Sequence, residues 1–186
     1  MAEIKVTKLE AAQRQIDAAI MMLYRGDDPI AVHTVISAAC RIMRDLSSQA
    51  YTPTWQKFDA VFIPGKQREV WGVLSRAANF FKHADRDPDD VLNGVHEEVN
   101  EFMIFMSLIL HEDFGKPTIP MRAHFSWMML FYPDAFHMDL IAQRMPSIAK
   151  AAYSPSYLSA MSRQQKLEDG LALLELAQTM SQSNLS

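Results

Sequence analysis

The stretch DDPIAVHTVISAACRIMRDL, residues 27–46, sets the fold class. Asp27-Asp28-Pro29 supplies a carboxylate to accept from the free N–H groups of a helix start, and a proline at the first helical position, where no N–H donor is needed. From Ile30 to Leu46 there is no glycine or proline. The apolar residues of this run form two helical stripes, Ala31/Val35/Ala38/Ile42 and Val32/Ile36/Cys40/Met43. A helix with two apolar stripes needs neighbours on two sides, so this one is expected at the centre of a helical bundle.

The flanking sequence extends the pattern. Upstream, Leu9, Ala12, Ile16, Ile20 and Leu23 share one face of a first helix that stops at Gly26, a residue that tolerates positive φ. Downstream, residues 48–66 hold two prolines and no helical period, and read as a long packed connection anchored by Tyr51, Trp55, Phe58 and Phe62. A third helix is expected from about Lys66 to Ala84. Asp87-Pro88-Asp89 then repeats the cap-plus-proline signal, and Leu92, Val95, Val99, Phe102, Met106 and Ile109 follow at helical steps toward Gly115 and Pro117.

Beyond that point Pro120, Pro133, Pro146 and Pro155 divide the chain into short helical pieces. Ser154-Pro155 is expected to cap a last helix carrying Leu158, Met161, Leu167, Leu171 and Leu174, bent at Gly170. Strict apolar alternation is nearly absent, and no repeat or polar linker interrupts the chain. The reading is all-α: a single-domain helical bundle of about six to seven helices over residues 1–180, with a disordered tail at 181–186.

Composition narrows the function classes. A chain of 186 residues buries roughly 70% of its unfolded surface, enough for one substantial core. The formal net charge of -4 argues against a broad basic surface for duplex nucleic acid, though a local patch remains compatible with it. The one cysteine, Cys40, precludes an intrachain disulfide and a cysteine zinc cluster, which fits a reducing cytoplasm. Nothing in the sequence targets or spans a membrane. There is no GxxxxGK, GxGxxG or GxSxG motif, and no cofactor is implied.

The candidate site lies in RAANFFKHADRD, residues 76–87. On a helix, Val70, Leu74, Ala77 and Phe81 form the expected core stripe. Arg76 and His83, seven residues apart, nearly eclipse each other on a stripe pointing away from it, with Asn79 between them. A polar stripe opposite a core stripe is also what any solvated helix carries, and both readings stay open. Val73 and Phe80, beside the stripe, suggest a second contact surface.

The segment Arg76-A-A-N-F-F-K-His83 resembles the motif of the HEPN family, an arginine followed by four to six residues and a histidine on one helix of a small all-helical domain. A polar residue often directly follows the arginine in that family; here Ala77 does, with Asn79 two places later. The resemblance covers the motif helix and, loosely, the bundle plan of the first 115 residues. It implies a metal-independent endoribonuclease, or an inactive RNA-binding relative, working as a homodimer with both motif helices facing one cleft. Arg76, His83 and Asn79 are then the catalytic candidates, and Lys82 and Arg86 the candidates for holding flanking phosphates of RNA.

Three further features have weaker claims. The six histidines show no HExxH or Glu-x-x-His spacing, so no metal site is expected. Glu97, Glu98 and Glu101 read as a solvated face. The run HFSWMMLFYPDAF reads mainly as core, but Phe125, Trp127, Met128 and Met129 also suit an apolar groove for a small ligand or a partner protein. The alternatives to an RNA-cleaving domain are thus a non-enzymatic interaction or regulatory module, and a binding protein with such a groove.

Overall fold

The structure is a computed structural model and describes residues 3–56, 67–83, 85, 88–94, 96–132, 158 and 160–183. Among them are six α-helices: α1 (Lys8–Arg25), α2 (Pro29–Ala50), α3 (Gln67–Phe80), α4 (Val99–His111), α5 (Ile119–Phe131) and α6 (Arg163–Ser183). One 3-10 turn, Glu112–Phe114, follows α4, and no strand occurs among the described residues. The protein is an all-α bundle. Its contacts group into two compact units: one runs through Ala19 and over Asp28–Lys116, and the other comprises Ile20–Asp27 and Pro117–Ser186.

The early helix boundaries follow the local signals. Gly26 adopts φ 71 and ends α1, and the Asp28 carboxylate accepts from the N–H groups of Ile30 and Ala31 with Pro29 in the first turn. Ala12, Ile16, Ile20 and Leu23 are buried along α1, as its stripe requires. The α2 helix runs on to Ala50, one turn beyond the expected end, and closes with Tyr51 in the left-handed region at φ 47. Tyr51, an expected anchor of a packed connection, is instead exposed, while Thr52 behind it is buried. Phe58 and Phe62 lie outside the described residues.

In the first unit α2 packs mainly on α4 and also touches α3. His33 bonds Asn100, the Cys40 thiol lies beside the Ser107 hydroxyl, and Ser47 donates to the Leu110 carbonyl. Residue numbers rise together along both helices, so α2 and α4 run parallel. Parallel neighbours need a long crossover, here residues 51–98 with α3 inside it. His33, Cys40 and Ser47 recur at seven-residue steps, as do Asn100 and Ser107, which is the spacing that keeps one seam facing a partner helix.

This seam corrects two expectations. The buried face of α4 carries Asn100, Glu101, Met103, Ile104, Ser107, Leu108, Leu110 and His111, whereas Phe102 is exposed and Val99, Met106 and Ile109 are only half-buried. Glu101, read as part of a solvated face, is 0% exposed; Glu97 and Glu98 are exposed. The helix is apolar nearly all round, so hydrophobic periodicity cannot select its inner face, and hydrogen-bonding polar residues do. The start of α4 is corrected too. Residues 88–94 are turn and irregular backbone, with the Asp90 carboxylate accepting from the Val91 N–H and Gly94 at φ 77. Such local side-chain bonds compete with helix formation, and a left-handed glycine interrupts it.

Two imidazoles are buried in this unit. Asn100 donates from Nδ2 to the Pro29 carbonyl, so its Oδ1 faces His33 Nδ1 at 2.9 Å and accepts from it. That tautomer leaves Nε2 unprotonated and buried, with no hydrogen-bond partner among the described residues, as is also true of Nδ1 of His111. Burial lowers the pKa of His33, against the Asn100 bond and with the charge of Lys82, and burial alone lowers that of His111. The unfolded chain, with histidines near 6.5, therefore takes up protons first as the pH falls. The stability these two histidines contribute is fully present above about pH 6.5 and is lost as the pH drops toward their lowered folded values. Urea midpoints should be higher at neutral pH than in mild acid, and His111→Leu should make that dependence shallower.

In the second unit α5 packs on α6 around Trp127, which is 0% exposed. The Thr118 hydroxyl accepts from the Met121 N–H at the start of α5, and Pro120 occupies its first turn. Ser162 and Gln165 form a reciprocal cap at the start of α6, the Ser162 hydroxyl accepting from the Gln165 N–H and the Gln165 amide oxygen from the Ser162 N–H. The expected cap at Ser154-Pro155 lies outside the described residues. No break occurs at Gly170, through which α6 is continuous. Instead a Cβ there would sit closer than 3 Å to three ring carbons of Tyr24, itself buried and hydrogen-bonded to His124 Nδ1 at 3.0 Å. Gly170→Ala is expected to cost about 1–3 kcal/mol through this overpacking, measured as a lower urea midpoint.

Candidate functional site

The site begins with the backbone at the end of α3. Phe81 N–H donates to the Ala77 carbonyl at 3.0 Å and His83 N–H to the Asn79 carbonyl at 3.1 Å, so the chain keeps helical spacing for a further turn after Phe80. Arg76 and His83 therefore stand about 20° apart around the axis, with Asn79 on the adjoining line. Trp71, Leu74 and Ala78 face α2, where the Arg44 guanidinium lies 5.1 Å from the Trp71 ring centroid. The buried alanine is Ala78 rather than Ala77; Leu74 and Phe81 are half-buried, and the Val70 side chain lies outside the described residues. Phe81 meets the buried His33 ring edge to face at 5.6 Å, which ties the end of α3 to α2.

Arg76, Asn79 and His83 are all exposed and line one groove of about 700 Å³. Gly72 and Phe80 of α3 line it with them, and Asp85, Asp90 and Leu92 line it from the segment after the helix. The described lining thus comes from one helix and the segment that follows it. Sequence reasoning misses Asp85, Asp90 and Leu92 as site residues because Asp87-Pro88-Asp89 reads as a helix cap. The available signal is the local one, Asp90 beside its own chain and Gly94 shortly after, which favours a loop.

His83 Nδ1 is 4.0 Å from Asp85 Oδ1, with the two side chains 66% and 71% exposed. So exposed a pair adds little to stability, but it turns Nδ1 toward the carboxylate and leaves Nε2 for a ligand. Among the described residues the groove lining carries one guanidinium, one imidazole and two carboxylates. Lys82 is exposed but lines a second, smaller groove on the α2 side of α3, and Arg86 lies outside the described residues.

The other candidates are placed elsewhere. Among the described residues no group of three or more His, Cys, Asp or Glu side chains is arranged to hold a metal ion. His33, His111 and His124 are buried, His96 is exposed, and His137 lies outside the described residues. Cys40 is buried and its thiol is pushed up by that burial, away from nucleophile chemistry. Trp127, Met128 and Met129 are buried and Phe125 is half-buried. No described helix is long and apolar enough to cross a membrane. No family model, curated protein or solved structure matches the chain.

Proposed function

We propose that the chain is a HEPN-like domain that cleaves RNA without a metal, working as a dimer. What supports this reading is one observation: Arg76, Asn79 and His83 are exposed and line a single groove of about 700 Å³. In the proposed reaction, His83 Nε2 takes the proton of an RNA 2′-hydroxyl. The freed oxygen attacks the adjacent phosphorus, the bond to the 5′-oxygen breaks, and a 2′,3′-cyclic phosphate remains. Arg76 holds two phosphate oxygens and offsets the charge that builds on them, with Asn79 orienting the phosphate.

The leaving 5′-oxygen needs a proton in the same reaction. One imidazole does not serve conveniently as base and acid together, so His83 of a second copy is the natural donor, which is why the reading includes a dimer. Asp85 fits as the group that holds Nδ1 and steadies the imidazolium formed on proton uptake.

The test is cleavage of single-stranded RNAs in EDTA by wild type, Arg76→Ala and His83→Ala. Circular dichroism and sedimentation establish first that each variant keeps its fold and association state. Cleavage by wild type that both substitutions abolish supports the reading. Cleavage unaffected by both substitutions contradicts it, and no cleavage by wild type on varied RNAs leaves the alternative of a non-enzymatic interaction module.

A further inference from the structure

The groove that holds Arg76 and His83 poses an electrostatic difficulty for a polyanionic substrate. Among the described residues its lining sets the Arg76 guanidinium against the Asp85 and Asp90 carboxylates, one positive group against two negative ones before His83 is counted. Such a lining does not by itself draw in a phosphodiester chain.

The adjoining groove has the opposite character. Arg41 and Arg44 of α2 and Lys82, just past α3, line a space of about 230 Å³, with Trp71 also in its wall. Asp45 bonds Arg41 Nε at 2.9 Å and Arg44 Nη2 at 3.1 Å, which fixes both guanidinium groups and offsets one of their charges. Among the described residues, three cations against one fixed carboxylate leave a net charge near +2. Arg44 also lies over the Trp71 ring, the pairing of cation and aromatic face that suits an unpaired base beside its phosphate. Asn79 and His83 line both grooves.

We infer that the Arg41, Arg44, Lys82 and Trp71 groove holds the nucleotide next to the one being cut, and that a single-stranded phosphodiester chain crosses the Asn79/His83 rim from one groove to the other. This deepens the proposed RNA-cleaving function and rests on it for the identity of the chain. The cationic groove supplies the attraction that the acidic groove lacks. Lys82, which stands apart from Arg76, is then a contact to a flanking phosphate, and the two arginines of α2 complete that subsite.

A fluorescein-labelled single-stranded oligodeoxynucleotide is the probe, because it has phosphodiesters but no 2′-hydroxyl and binds without being cut. By fluorescence anisotropy, Arg41→Gln/Lys82→Gln, with both changes at exposed positions, is expected to bind roughly tenfold more weakly than wild type. The slope of log K against log salt should become shallower by about 0.7 for each phosphate that is no longer neutralised. Arg14→Gln/Arg25→Gln removes the same net charge from exposed positions on α1 and is expected to bind like wild type. Equal weakening by both double variants, no weakening by the first, or no binding by wild type at low salt overturns the proposal. Binding as described without RNA cleavage supports the subsite while removing the catalytic reading. Cleavage with KM unchanged in Arg41→Gln/Lys82→Gln removes the subsite and leaves the catalytic reading standing.

Discussion

His83→Ala is expected to lower metal-free RNA cleavage by roughly 10²- to 10⁴-fold, the range for removing a positioned general acid or base. The size follows from the role: without the imidazole at the rim of the groove the proposed base for the 2′-hydroxyl proton is gone, and the Asp85 and Asp90 carboxylates, the remaining bases of the described lining, are weaker ones. His83 is two-thirds exposed and its side chain is paired only loosely with Asp85, so the substitution should leave folding nearly unchanged. Arg76→Lys separates charge from geometry. It keeps the positive charge but not the planar fork that binds two phosphate oxygens, and should recover only part of the activity that Arg76→Ala removes. Full recovery in Arg76→Lys would mean that Arg76 acts as a diffuse charge rather than as a fixed clamp.

Trp127→Ala should be the most damaging single change to stability, at about 3–5 kcal/mol. Trp127 is fully buried, and its ring lies 5.5–5.7 Å from those of Tyr24, His124, Phe131 and Tyr132. Its indole N–H donates to the Lys166 carbonyl at 2.6 Å, in the first turn of α6. Alanine would leave a large cavity and remove that bond. Trp127→Phe keeps most of the apolar volume and loses mainly the bond, so it should cost much less, about 0.5–1.5 kcal/mol plus a smaller packing loss. Urea unfolding followed by far-ultraviolet circular dichroism measures both without relying on the fluorescence of the residue removed. Equal costs for the two variants would show that the Lys166 bond, rather than ring volume, dominates.

The legible parts of the sequence are those governed by local chemistry. Gly26, Asp28 and Pro29 mark one helix end and the next start through backbone preferences that need no partner. The Arg76/Asn79/His83 stripe is legible for the same reason, since helical spacing alone places its members together. The inner face of α4 is not. Phe102 and Leu108 are equally apolar in sequence, and only His33 and Cys40, far back in the chain, decide that Asn100 and Ser107 turn inward.

Gly170 illustrates the same limit. A glycine within a helical run suggests a bend, but its reason here is the ring of Tyr24, far back in the chain on the first helix. The second wall of the groove is hidden by a signal with two meanings, because aspartate and proline begin helices and also make turns. Arg41 and Arg44 give no sign in sequence of belonging to the site, since their only link to it is that α3 folds back along α2.

The most direct test of the central claim is the chemistry of the cut ends when wild-type protein is incubated with single-stranded RNA in EDTA. Attack by the 2′-oxygen predicts 5′-fragments ending in a 2′,3′-cyclic phosphate and 3′-fragments starting with a 5′-hydroxyl, both missing with His83→Ala. Intact RNA, 5′-phosphate products, or cyclic ends at the same rate from His83→Ala would contradict it.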